Sequence, residues 1–479
     1  MFLSLESPRT QMHIGGMLIF EGPPPAFADI VATVDRKLDR VPRYRQRPLW
    51  APRLLGGRPV WVDDSHFSLD YHLRHTALPA PGTAAQLERT VADIFGRQLD
   101  KTRPLWEIWV IEGLRDNRFV VVYKVHHSVV DGISGIDVLQ ILLDPMPREP
   151  APPREHPWAA PPEPGAAELA VHAAAERLIH QPLGLLNSVR RAIENPREAL
   201  DDLGHRAAGM GELAWALVDA APPSPINGDD GPNRRIAWTM ASLDDLKAIK
   251  NQFGGTINDV VLTAVTGGLR ALYRGRGLKT SGVQLRALVP VSVRTSSSSA
   301  LGNRVAALRA ALPVHIDDPV ERLRWVSSMT GDLKKSAQAI GAQTLTSLTE
   351  VAPPALFHQA SRLQFSTRLF NLIVTNVPGP QVPLYLLGSR MLEGVPLAFL
   401  PAGHGLAVAI VSYNGTVGFG LLADRELVPD ADVVAEGITR DVDEMALAAS
   451  PARTAARAGD AAPSTNGVGA PAGASTTES

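Results

Sequence analysis

Two adjacent histidines, His126 and His127, stand ahead of Asp131 and Gly132, so that the second histidine and the aspartate are spaced His-x-x-x-Asp. A neutral imidazole can take the proton of a hydroxyl as that oxygen attacks a carbonyl carbon, and such general-base help is worth roughly 10²–10⁴-fold. With a reference pKa of about 6.5, imidazole is far too weak a base to ionise an alcohol beforehand, so proton removal must accompany attack. Asp131 need not touch a substrate in this reading. A carboxylate at a turn can pair with an arginine or with loop amides, and Gly132 permits a positive φ there. A metal site on His126, His127 and Asp131 is disfavoured: neighbouring strand residues point to opposite faces, and no third ligand follows at helical spacing. A serine nucleophile is disfavoured too, because Gly132-Ile-Ser-Gly lacks the last glycine of a nucleophile elbow. The plain alternative is a packed core histidine beside a turn aspartate. The doubled histidine and trailing glycine at a strand end weigh against it.

The element that must position these groups is the apolar run before them. Phe119, Val121, Tyr123, Val125 and His127 alternate with a second apolar set, the period-two signature of a buried strand. Gly132 ends it, and Ile136 to Leu143 reads as a helix. The histidines thus sit at the carboxyl end of a strand, where open α/β sheets collect ligands. Met12 to Phe20 reads as a first strand, Tyr71 to Leu73 as a short one, and Ala84 to Leu99 as a helix. Val395 to Leu400, Gly405 to Tyr413 and Thr416 to Leu422 are expected to finish one sheet, with Asn414-Gly415 as a primed hairpin turn.

The length of 479 residues leaves room for more than one core. The expected division is 1–144, a proline-rich and helical connection over 145–232, a second α/β unit over 233–447, and a disordered tail over 448–479 rich in Ala, Ser, Thr, Gly and Pro. A net charge of −2 gives no reason to expect nucleic acid. The absence of cysteine excludes disulfides, thiolate metal sites and a cysteine nucleophile. No phosphate-loop or dinucleotide fingerprint is present, nor a signal peptide or an apolar run of transmembrane length. A cytoplasmic protein, soluble or peripherally attached, is the expectation.

The block from His126 to Gly132 resembles the His-His-x-x-x-Asp-Gly motif of the coenzyme A-dependent acyltransferase superfamily. Three further blocks, Pro104-Leu105-Trp106-Glu107, Asn258-Asp259-Val260-Val261 and Asn376-Val377-Pro378-Gly379-Pro380, stand in the order found in bifunctional wax ester synthase/diacylglycerol acyltransferases. Met12-His13-Ile14-Gly15 is similar to that family as well, and the likeness runs from Met1 to about Leu447. The resemblance implies two chloramphenicol acetyltransferase-like α/β domains, each a mixed sheet with helices, and an active-site tunnel between them. It implies transfer of a long-chain fatty acyl group from acyl-coenzyme A, a substrate and not a cofactor, to diacylglycerol or a long-chain alcohol, without an acyl-enzyme.

By the same resemblance His127 is the general base, His126 its neighbour in the motif, and Asp131 a structural carboxylate followed by Gly132. Pro104, Leu105 and Trp106 would shape the substrate channel, Asn258 and Asp259 would contact substrate, and Asn376 would be a hydrogen-bond donor near the reacting carbonyl or else a turn asparagine before Pro-Gly-Pro. Asn258 and Asp259 are also good residues for starting a helix. The family's Leu-Ser-x-x-Asp segment falls just before Met1, so either the start lies upstream or an edge piece near the site is missing. Lipid substrates imply a membrane or droplet surface as partner, with Ala166 to Leu217 as the candidate contact. The rival reading from another class is a non-catalytic lipid-binding or droplet-coating paralogue.

Overall fold

The computed structural model describes residues 2–50, 59–129, 139, 141–149, 158–162, 165, 168, 220–292, 305–340 and 365–450. The first run holds α1 (Phe2–Leu5), β1 (His13–Glu21), α2 (Phe27–Lys37), β2 (Gln46–Trp50), β3 (Pro59–Asp63), α3 (Leu69–His72), β4 (Leu73–Ala77), α4 (Ala84–Gly96), β5 (Trp106–Leu114) and β6 (Arg118–His126). The second holds β7 (Arg234–Ser242), α5 (Leu243–Phe253), α6 (Ile257–Gly275), β8 (Leu285–Ser292), β9 (Val305–Leu312) and α7 (Pro319–Ile340). It continues with β10 (Leu372–Pro378), β11 (Tyr385–Leu386), β12 (Ser389–Leu397), β13 (Leu406–Tyr413), β14 (Thr416–Asp424) and α8 (Ala431–Ala449). Two readings shift: residues 69–72 form a helical turn, so the strand expected from Tyr71 starts at Leu73. Of the helix expected over 136–143, the described positions Leu139, Ile141 and Leu142 are helical. The expected lipid contact, apart from Glu168, and the tail beyond Ser450 lie outside the described residues.

The strands form two mixed six-stranded sheets, ordered β11-β12-β1-β6-β5-β4 and β7-β14-β13-β10-β8-β9. In the first only β4 and β5 run parallel, and in the second β10 runs parallel to both β8 and β13. One expectation is overturned. The strand around Val395 does not join β13 and β14 in a final sheet; β12 pairs antiparallel with β1, Gly15 opposite Leu397 and Met17 opposite Val395. Long-range pairing of this kind leaves no local trace, because alternation reports burial and not the partner.

Three apolar layers follow. Leu18, Phe20, Val121, Ile108 and Trp106 fill the outer face of the first sheet with Ile30 and Val34 of α2. Val260, Val265, Val408, Leu421 and Ile438 join the outer face of the second sheet to α6 and α8. Between the sheets, Met17, Ile19, Val120 and Val122 meet Ile236, Ile373, Ala407 and Leu422, with Val91 and Phe95 of α4 among them. Glycine makes this closeness possible. A Cβ on Gly418 or Gly420 of β14 would stand 2.1 Å from the Gly394 carbonyl or 1.8 Å from that of Pro396, both on β12.

Polar groups pin the same layer. Thr83 and Gln86 form a capping box at the start of α4. At its far end the buried Lys124 ammonium donates to the carbonyls of Ile94 (2.8 Å) and Arg97 (3.0 Å), where the last carbonyls of a helix favour a cation. The buried Arg234 donates to the Arg9 carbonyl and to Gln11 Oε1 (2.5 Å), and lies 3.6 Å from Asp424. The amino-terminal strap is thereby tied to the second sheet. Gly15 lies on β1 where a Cβ would come within 1.9 Å of the Tyr123 carbonyl on β6. Gly15→Ala should therefore lower stability by about 1–3 kcal/mol, the usual cost of overpacking, read as a lower urea midpoint at unchanged slope.

Candidate active site at the end of β6

The last hydrogen bonds of β6 aim its two histidines. The His126 N–H donates to the Leu105 carbonyl (3.0 Å) on one side, and the His127 N–H donates to the Met12 carbonyl (2.8 Å) on the other. The Val129 N–H then closes a turn on the His126 carbonyl at 2.9 Å. His127 leaves the sheet here, and its ring meets aromatic side chains from both halves of the chain. Phe2 tilts over it at a centroid distance of 4.0 Å, and Phe399 meets it edge-on at 5.4 Å. Phe365 packs against both phenylalanines, at 6.4 and 5.7 Å.

His127 is only partly buried, while its Nδ1 is enclosed with no hydrogen-bond partner. Nε2 is not among the enclosed, unpartnered atoms. Burial holds the imidazole below its ordinary pKa, so the ring is neutral, with a lone pair available, at neutral pH.

His126 points the other way. It is fully buried and faces a charged cluster that sequence reasoning did not find. The Glu6 carboxylate, 1% exposed, lies 2.7 Å from Lys101 Nζ, 3.2 Å from His13 Nε2 and 3.7 Å from His126 Nε2. The Lys101 contact is an ion pair, burial holds both imidazoles below their ordinary pKa, and neither Glu6 oxygen has an aligned hydrogen bond. Burial pushes the Glu6 carboxyl up, but His13 and Lys101 together outweigh it and hold the carboxyl at about 2. Burial likewise drives His126 down to about 3, so His126 is neutral and Glu6 anionic across the physiological range. An acidic residue in an apolar opening stretch carries no signal of such burial. The one hint is that Met12-His13-Ile14-Gly15 follows it closely.

Models of two domains match the chain: the wax ester synthase/diacylglycerol acyltransferase catalytic domain over residues 1–261, and the corresponding C-terminal domain over residues 301–446. The chain belongs to the wax ester synthase/diacylglycerol acyltransferase family. It is 34% identical over 421 residues to a putative diacylglycerol O-acyltransferase of Mycobacterium tuberculosis, covering 86% of this chain and 81% of that protein. A probable diacylglycerol O-acyltransferase of the same species is 33% identical over 439 residues, 89% of each chain. The wax ester synthase/diacylglycerol acyltransferase from Marinobacter aquaeolei VT8 superposes with a TM-score of 0.67 at 26% identity, covering 94% of this chain and 97% of that one. The first condensation domain of the CDA synthetase shares the fold alone, with a TM-score of 0.54, 14% identity and 94% of each chain covered. By family the protein is an acyltransferase.

The remaining motif residues of this family member fall in different places. Asp131 and Gly132 lie outside the described residues. Pro104, Leu105 and Trp106 are buried, the latter two in the outer core of the first sheet. The Trp106 indole N–H donates to the Tyr44 carbonyl (2.7 Å) and the ring stacks on His72 at 4.5 Å. Their tie to the site is the Leu105 carbonyl that receives the His126 N–H. Asp259 is spent on structure: its Oδ2 accepts from the N–H and hydroxyl of Thr256 in a capping box, and its Oδ1 accepts from the Thr330 hydroxyl of α7 at 2.6 Å. Asn258 and Asn376 do meet, the Asn376 amide donating to Asn258 Oδ1 at 3.3 Å where α6 starts and β10 ends. Among the described residues no cluster of His, Asp and Glu is arranged to hold a metal, and no helix is long and apolar enough to cross a membrane.

Trp106→Phe removes the indole bond to Tyr44 and keeps most of the packing. It should cost about 1 kcal/mol in thermal or urea unfolding, as a lost buried hydrogen bond does, and leave the KM for acyl donor unchanged. A raised KM at unchanged stability would instead put Trp106 in contact with substrate.

Proposed function

We propose that the protein transfers a long-chain fatty acyl group from acyl-coenzyme A to the free hydroxyl of diacylglycerol, with long-chain alcohols as further acceptors, and that His127 is the general base. The observation that carries this reading is a neutral imidazole at a strand end, with Nδ1 enclosed and unpartnered, among phenylalanines from both halves of the chain.

Nε2 of His127 takes the acceptor's proton as the hydroxyl oxygen attacks the thioester carbonyl carbon. When the tetrahedral adduct collapses, the carbon–sulfur bond breaks and the imidazolium returns the proton to the departing thiolate. The products are an ester and free coenzyme A, and no bond to the protein forms. Phe2, Phe365 and Phe399 supply apolar surface for acyl chains. They offer a competing water no polar side-chain partner, which favours transfer to an alcohol over hydrolysis. The same apolar substrates make a peripheral association with a membrane or droplet surface part of this proposal.

Labelled acyl-coenzyme A and each acceptor offered separately test the reaction. His127→Ala should cut lipid product by about 10²–10⁴-fold, and unchanged product in that variant would remove the base assignment. No product from any acceptor with the parent protein would shift weight to a lipid-binding role.

The pH dependence follows from the direction of the shift. The base works only when neutral, and its pKa lies below 6.5. kcat/KM should therefore stay flat through neutral pH and fall only as the pH drops below 6.5. An acid limb centred above that value would contradict the burial described for the ring.

A further inference from the structure

His126 takes no part in the proton transfer proposed above, yet one of its ring nitrogens is tied to the turn that follows it. Its Nδ1 lies 3.1 Å from the backbone N–H of Ser128 and 2.7 Å from the Ser128 hydroxyl. A backbone N–H can only donate, so Nδ1 must present its lone pair. A neutral imidazole then has its single proton on Nε2, and that nitrogen faces the Glu6 carboxylate at 3.7 Å, an electrostatic contact longer than a hydrogen bond. The His13 ring stands across from it, edge-on at 5.9 Å, and Lys101 closes the far side of Glu6.

We infer that Glu6, His126 and Ser128 form a positioning relay: Glu6 selects the Nε2–H form of His126, and the lone pair of His126 Nδ1 holds the Ser128 N–H so that the intervening His127 points at the reacting groups. His127 is anchored before its Cα by its own N–H on Met12 and after it by this Ser128 contact. Were the proton on Nδ1, two N–H groups would confront each other at 3.1 Å and the turn would open. His126 and Glu6 thus act through His127 and touch neither substrate.

The inference rests on His127 being the base, so its test needs a readout that does not use activity. Long-range proton–nitrogen spectra of the histidine-labelled full chain report the tautomer directly, with the His126 signal assigned by its loss in a His126 variant. The Nε2–H pattern is expected for His126. Glu6→Leu, which removes the carboxylate that faces Nε2, should bring in the Nδ1–H form. An Nδ1–H signal in the parent protein overturns the relay, whatever His127→Ala does to turnover.

Two substitutions then read the geometry. In His126→Asn the side-chain Oδ1 takes the place of Nδ1 and can still receive the Ser128 N–H. In His126→Gln the acceptor sits where Nε2 was, and the Ser128 contact is lost. The Asn variant should keep most of kcat, while the Gln variant should lose about a hundredfold, the scale expected for a misplacement of about 1 Å, with KM little changed in both. Equal retention or equal loss in the two variants would refute the relay, because simple space-filling or a chemical role for the ring would not separate them.

Discussion

Everything at this site depends on how β6 ends. A strand edge that fades into a loop leaves its last side chains free to swing. Here β6 is flanked by β1 and β5 to its final residue, and the backbones of His126 and His127 are each taken up by a neighbouring carbonyl. Two consecutive side chains leave the sheet on opposite sides, and the pinning turns that alternation into a division of labour. One ring goes to the buried carboxylate, and the other to the aromatic enclosure. The motif spells the histidines as a pair, but the sheet makes them unlike.

The second constraint is electrostatic. A carboxylate buried as deeply as that of Glu6 is costly unless a cation stands beside it, and Lys101 at 2.7 Å fills that place, since burial holds His13 and His126 down. The resulting pair stabilises the folded state while Glu6 stays ionised. Its folded pKa of about 2 lies below the ordinary value of 4.5, so the contribution is present above the ordinary value and is lost as the pH falls through the lower one. That window lies below neutrality, so the charge on Glu6 is constant through the neutral range.

How much of this could be read in the sequence divides along physical lines. The strand carrying the histidines was legible because buried strands alternate. The hairpin at Asn414-Gly415 was legible because both residues adopt the positive φ that a primed turn needs, 42° and 86°. Asp259 was legible as a helix start, and the capping box is there. Asn258 and Asn376, far apart in the chain, could be grouped only by family likeness. Trp106 was ambiguous, since a tryptophan at the head of a strand fills a core or a channel equally well, and here the space it fills is core. Glu6 and the membership of β12 were invisible for one shared reason. Both are set by partners outside the local stretch, about a hundred residues on for Lys101 and His126 and several hundred for β12, and neither composition nor periodicity records a partner.

The seat of β12 in the first sheet has a consequence for how the chain is made. A ribosome releases β1, β5 and β6 early, but the neighbour of β1 on its other flank arrives only when the stretch through Leu397 has emerged. Until then β1 shows an unpaired row of amides beside an apolar face, the kind of edge on which chains associate wrongly. The amino-terminal half is thus an unfinished object during synthesis, and a truncated transcript would yield a sticky fragment rather than a smaller working unit. Continuity of the polypeptide does here what an interface between separate subunits does elsewhere.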